Sequence, residues 1–98
     1  MRRYFVYMIC NKRKTVLYTG QCRNLYLRII QHQTKVNPKS FSAKYNLCKL
    51  VFYKEHPSRN SAFIRERQIK KWYRKWKNEL IESENPEWKD LSIEILRD

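Results

Sequence analysis

Twenty-two lysines and arginines against nine acids give this chain of 98 residues a net charge of +13 and a pI near 10.0. Such a balance favours nucleic acid as partner, ahead of an anionic membrane surface or an acidic protein. A hydrophobic fraction of 42% supports one modest core, so residues 1–98 are expected to form a single domain.

Several classes drop out at once. No apolar run nears the roughly 18 residues of a membrane helix, and the start Met1-Arg2-Arg3 lacks the long apolar stretch of a signal peptide. Gly20 is the one glycine, which excludes the glycine-rich loops of nucleotide-binding motifs. Cys10, Cys22 and Cys48 form no Cys-x-x-Cys pair, and with His32 and His56 they match no structural zinc spacing. The expectation is a cytoplasmic protein with reduced thiols, no membrane association and no nucleotide cofactor.

Two β-rich runs open the chain, Tyr4 to Cys10 and Thr15 to Thr19, joined by the polar segment 11–14. A hairpin closed by that segment sets Cys10 against Thr15 and Tyr7 directly against Tyr18. An opposed tyrosine pair stabilises a sheet by itself, so function is not required to explain it. Asn24 then reads as an N-cap for a helix from Leu25 to Gln33, with Leu25, Tyr26, Ile29 and Ile30 as its apolar residues. Arg28 and His32 lie four apart on it and share a face. A polar loop, residues 34–48, carries Lys35, Lys39 and Lys44, is broken by Pro38, and leads to a third strand, Lys49 to Tyr53.

Beyond the break at residues 57–60, Ala62, Glu66, Ile69 and Tyr73 define one helix face. Trp72, Trp76 and Leu80 continue at spacing four until Pro86. That spacing assigns both tryptophans to packing, with stacking on unpaired bases as the lesser reading. The tail from Pro86 is acidic, contains Trp88, Leu91, Ile93 and Ile95, and is expected to end in a short helix covering the fold.

Charge singles out one residue. Residues 1–78 hold 20 basic side chains and only two acids, Glu55 and Glu66, whereas residues 79–98 hold two against seven. Glu66 sits on an otherwise apolar stripe, where a carboxylate must be paired or used. The bland reading pairs it with Arg65, Arg67 or Lys70. The functional reading makes it the hard oxygen ligand that brings a divalent cation to a phosphate.

Phe5-Val6-Tyr7, then Tyr18-Thr19-Gly20 eleven residues on, then Arg28, His32 and Glu66, together resemble the GIY-YIG endonuclease superfamily. The likeness is closest to small single-domain bacterial members related to the N-terminal nuclease domain of the DNA-repair excinuclease. It includes the stretches Arg65 to Trp72 and Asn85 to Asp90. The resemblance implies an α+β fold, a three-stranded antiparallel sheet with helices around it in the order β-β-α-β-α-α, here followed by a short C-terminal helix. It also implies metal-dependent hydrolysis of DNA, with Tyr7, Tyr18, Arg28, His32 and Glu66 in the active site. Glu66 would hold one Mg²⁺ or Mn²⁺, since one carboxylate argues for one ion. Arg28 would offset charge on the phosphate, and Tyr7 would take a proton from water, favoured as phenolate by the metal and Arg28. The choice of base among Tyr7, Tyr18 and His32 stays open. Lys44, Lys70 and Lys71 are candidates for steering the phosphate backbone. Target specificity is left to features outside this set, a protein partner among them. The main alternative is a catalytically inert nucleic-acid-binding module on the same fold, against which the retained Tyr7 and Glu66 speak.

Overall fold

The computed structural model describes residues 3–97 apart from 36 and 38; the break expected at Pro38 lies outside the described residues. Three strands, β1 (Tyr4–Cys10), β2 (Leu17–Cys22) and β3 (Lys49–His56), form an antiparallel sheet in the order β2-β1-β3. Around it lie α1 (Leu25–Thr34), the single turn α2 (Phe41–Lys44), α3 (Arg59–Lys70), α4 (Arg74–Glu84) and α5 (Ser92–Leu96). This is the α+β order read from the sequence, with α2 added inside the expected loop.

β1 lies at the centre of the sheet, and its residues from Val6 to Cys10 are buried, which is why it reads as an unbroken apolar run rather than an alternating one. Val6, Met8 and Cys10 pack with Ala62, Ile69 and Ile81 of α3 and α4. Tyr7 and Ile9 turn to the other face, where Leu25 and Ile29 of α1 cover them with Leu47.

The hairpin register differs from the expected one. Tyr7 opposes Gly20, and Tyr18 opposes Ile9. The cause is Asn11, whose Oδ1 accepts from the backbone N–H of Thr15 (2.9 Å) and of Val16 (3.1 Å) while its Nδ2 donates to Thr15 Oγ1 (2.7 Å). Lys14 turns the chain in the left-handed region, at φ 61°. Thr15 and Val16 therefore belong to the loop, and β2 begins two residues later. A slip of two preserves faces, so Tyr7 and Tyr18 remain on one side as diagonal neighbours.

Asn24 caps α1 by accepting from Leu27 N–H, and Ser58 caps α3 by accepting from Ser61 N–H. On α1 the structure buries Leu25 and Ile29 but leaves Tyr26 about half exposed. The stripe expected from Ala62 through Leu80 is divided: α3 stops at Lys70, and Tyr73, with extended backbone (φ −62°, ψ 152°), precedes α4. Tyr73 is thus 74% exposed and Trp76 48%, while Trp72 and Leu80 pack at the core's margin and Ile81 is fully buried. Core packing holds for Trp72 and fails for Trp76.

The acidic tail closes the outer edge of β3. Leu91 N–H donates to Leu50 O (2.7 Å), and Leu50 N–H donates to Asp90 Oδ1 (3.1 Å). β1 and β3 pair Met8 with Phe52 but Ile9 with Leu50, leaving Val51 unopposed in a bulge. The buried Asn85 Nδ2 donates to the Val51 carbonyl at 3.0 Å. At Leu50 and Val51 that edge is thus occupied and closed to further pairing.

Candidate active site

Gly20 makes room for Tyr7. Its backbone is not left-handed, so space rather than torsion demands glycine: a Cβ there would lie 2.6 Å from Tyr7 Oη, 2.7 Å from Tyr7 Cζ and 2.9 Å from Tyr18 Cε2. The Tyr7 ring thus lies across the strand opposite it, 1% exposed. Its hydroxyl is 3.1 Å from His32 Nε2. Three rings cluster here, with centroids 6.4 Å apart for Tyr7 and Tyr18, 5.7 Å for Tyr7 and His32, and 6.3 Å for Tyr18 and His32. Gly20→Ala should therefore dislodge Tyr7 from His32 and destabilise by about 1–3 kcal/mol. Thermal melts check the second effect, and a Tyr7 that titrates as in the unaltered protein would contradict the first.

Arg28 stands one helical turn before His32, and its charge reaches Tyr7, His32 and Cys22. Burial raises the Tyr7 hydroxyl well above the usual tyrosine range, Tyr18 adds to this, and Arg28 opposes it. Arg28 acts in the expected direction, yet burial outweighs it, so Tyr7 is a protonated phenol. For His32, burial first and Arg28 second push the pKa below the ordinary value, leaving the ring neutral near pH 7. Burial likewise drives the Cys22 thiol up to about 11, against Arg28. A protonated phenol beside a neutral imidazole makes Tyr7 the donor in the tautomer whose proton sits on Nδ1, which leaves His32 Nε2 as the acceptor.

Glu66 approaches from α3, which packs against β1 and β2. Its side chain is only 13% exposed, and Lys70 Nζ lies 3.5 Å from Oε2. The i,i+4 pair of the bland reading exists, but its lysine also stands 5.6 Å above the centre of the Tyr18 ring. One ammonium therefore links the carboxylate to the tyrosine cluster. Lys44, on α2, is exposed and stands over the Tyr45 ring, and Lys71 is exposed just past α3. Neither contributes to the ring cluster as Lys70 does.

The donor set suits a hard cation that keeps most of its water. Among the described residues no three His, Cys, Asp or Glu converge, so an ion held by Glu66 would take most of its ligands from elsewhere than these side chains. A Mg²⁺-type ion accepts one carboxylate plus water and phosphate oxygens, and the nearby Lys70 shows the carboxylate already facing a cation. Sequence reading named Lys70 as a partner of Glu66 but missed two parts of this arrangement: the spatial role of Gly20, signalled by the sole glycine two residues after Tyr18, and the approach of Lys70 to the Tyr18 ring, for which the spacing carries no signal.

A structural comparison aligns the chain with the solution structure of a UPF0213 protein from Bacillus halodurans, at 22% identity and a TM-score of 0.58, covering 93% of this chain and 95% of that one. At that identity the likeness establishes the fold. No curated protein matches the chain. The family description "GIY-YIG catalytic domain" matches residues 3–79, which hold all five residues discussed above. With most of its length matched and its sheet and helices in this order, the chain belongs to the GIY-YIG family of nuclease domains.

Proposed function

We propose that residues 1–98 act as one nuclease domain that hydrolyses DNA phosphodiester bonds with a single divalent cation, Mg²⁺ or Mn²⁺, held by Glu66. The observation that carries this reading is the 3.1 Å contact between the buried Tyr7 hydroxyl and His32 Nε2. A free phenolate is the wrong species to invoke, since even an unperturbed tyrosine costs about 4 kcal/mol to ionise at pH 7, and Tyr7 is raised further. A relay avoids it. Tyr7 accepts a proton from the attacking water while passing its own to His32 Nε2, so the net base is the neutral imidazole. Tyr18 packs beside both rings and restricts their orientation. Arg28 offers a planar, permanent cation to the non-bridging oxygens as charge builds on phosphorus. The bound ion supplies neutralisation of the phosphate and of the leaving oxygen. Lys44, Lys70 and Lys71 steer the backbone, no nucleotide cofactor takes part, and a protein partner supplies target choice.

The test is incubation of labelled DNA with the protein in Mg²⁺, Mn²⁺ or EDTA, beside Tyr7→Phe. Nicking is expected with metal and not in EDTA, and Tyr7→Phe should lower it by about 10²–10⁴-fold while DNA still binds. A wild-type protein that binds DNA yet never cuts would instead be the inert module.

The relay also fixes a pH profile. His32 must be neutral, and its pKa lies below 6.5, so kcat/KM should fall only as pH drops beneath that value. Tyr7 must be protonated, and its pKa lies above 10.0, so no alkaline fall should appear up to about pH 10. An acid limb centred above pH 7 would contradict the role of His32. Stability follows the same groups: the depressed His32 contribution is present above 6.5 and lost as pH falls, whereas the raised Tyr7 contribution is present below 10.0 and lost as pH climbs.

A further inference from the structure

Two open depressions meet where β2 runs into α1. One, of about 540 Å³, is lined by Arg3, Phe5, Arg23 and Tyr26 among others. The second, of about 290 Å³, has Tyr4, Cys22 and Arg59 in its wall and shares Arg23 with the first. Aromatic and guanidinium groups thus alternate around one end of the sheet. Arg3 reaches Glu55 across 3.5 Å, with both side chains more than half exposed. Arg23 and Arg59 are exposed and have no ion-pair partner among the described residues.

Neither arginine is placed for stability. Arg23 precedes the N-cap of α1 and Arg59 begins α3, where the helix dipole disfavours cations, and no acid occupies either first turn. Tyr26 stands in the apolar stripe of α1 by sequence yet remains 47% exposed and lines the first depression together with Arg3 and Arg23. The surface adjoins the site already described: Phe5 lines the first depression and Cys22 the second, and this opposed pair lies two residues along the hairpin from the opposed Tyr7 and Gly20, on the same sheet face.

Arginines beside open rings suit a strand whose bases are free to stack, whereas a paired duplex presents phosphates but hides its base faces. We infer that this surface binds unpaired nucleotides flanking the scissile phosphate, with Tyr26 as the stacking platform and Arg23 and Arg59 as phosphate contacts. The substrate class is then DNA carrying a single-stranded segment next to the cut. The inference takes its DNA from the nuclease reading, but it is tested without cutting.

Affinity is measured by fluorescence anisotropy in EDTA, for the same labelled oligonucleotide single-stranded and as duplex, over a salt series. Wild type is expected to bind the single strand more tightly. Tyr26→Ala should weaken single-strand binding about tenfold and leave duplex binding unchanged, and Tyr26→Phe should restore it. Arg23→Gln and Arg59→Gln should each reduce the single-strand salt slope by about 0.7. Thermal melts of each variant exclude unfolding as the cause. Equal wild-type affinity for the two forms, or a Tyr26→Ala loss that is absent or equal for both, would overturn the inference whatever the cleavage assay shows. Unchanged salt slopes in both arginine variants would also overturn it, leaving Arg23 and Arg59 as solvated charges. Preferential single-strand binding by a protein that never cuts would uphold this surface while removing the nuclease reading.

Discussion

Glu66→Gln is expected to reduce metal-dependent cutting by about 10³-fold with the fold and DNA binding intact. Glutamine keeps the shape of the side chain and one acceptor oxygen but removes the charge that would hold a hard cation. Glu55, the other acid in residues 1–78, is half exposed on β3 and faces Arg3 at 3.5 Å. The structural penalty should be small, because the partner Lys70 is 47% exposed and such i,i+4 pairs contribute only about 0.2–0.5 kcal/mol. Activity and stability therefore separate in this variant. Rates measured over a Mn²⁺ titration, with melting temperature as control, decide the matter: cutting at the wild-type rate would remove Glu66 from the metal site.

Asn85→Ala is expected to show the opposite pattern, a large loss of stability with the ring cluster untouched. Asn85 is 5% exposed, and its amide makes three bonds: Nδ2 donates to Val51 O (3.0 Å) and to Lys89 O (2.9 Å), and Oδ1 accepts from Lys89 N–H (2.9 Å). Alanine leaves those groups without their partner, at roughly 1 kcal/mol each and more for the buried bulge carbonyl. A loss of about 3 kcal/mol in a domain of this size lowers Tm by more than about 10 °C. The tail should loosen with it, since Leu91 and Asp90 hold Leu50 just beyond the turn that Asn85 shapes. Faster amide exchange at Leu50 and Leu91 would mark that loosening. A Tm shift of less than about 3 °C would show that Asn85 is not the latch. Asn85 to Asp90 entered the sequence reading as part of a family likeness, and the structure explains it by packing: Trp88 is buried with its Nε1–H on Glu82 Oε2 (2.9 Å), and Asp90 Oδ1 accepts from Ser92 N–H (3.0 Å) as well.

The five residues picked out by spacing divide unevenly between what was legible and what was not. Arg28 and His32 share a helix face because four residues make about one turn, so their proximity needed no tertiary information. That Tyr7 and Tyr18 share a sheet face was likewise legible, since any even slip of register keeps it. Their actual offset was not, because it depends on one Asn11 side chain capturing two backbone N–H groups in the loop. The end of α3 at Lys70 was also hidden: the apolar spacing runs on through Trp72 and Trp76, and only the packing shows that Tyr73 leaves the helix.

What the amino-acid order settles by itself is local or periodic: the three strands and the first helix apart from their ends, the Asn24 cap, the basic field with one carboxylate inside it, and the family to which these motifs belong. What only tertiary structure decides is ionisation and convergence. Tyr7 stays a phenol because α1 and the sheet strip water from it, and it meets His32 because Gly20 leaves the space for its ring. Desolvation and close approach are set by groups distant in the chain, so no window of neighbouring residues contains them.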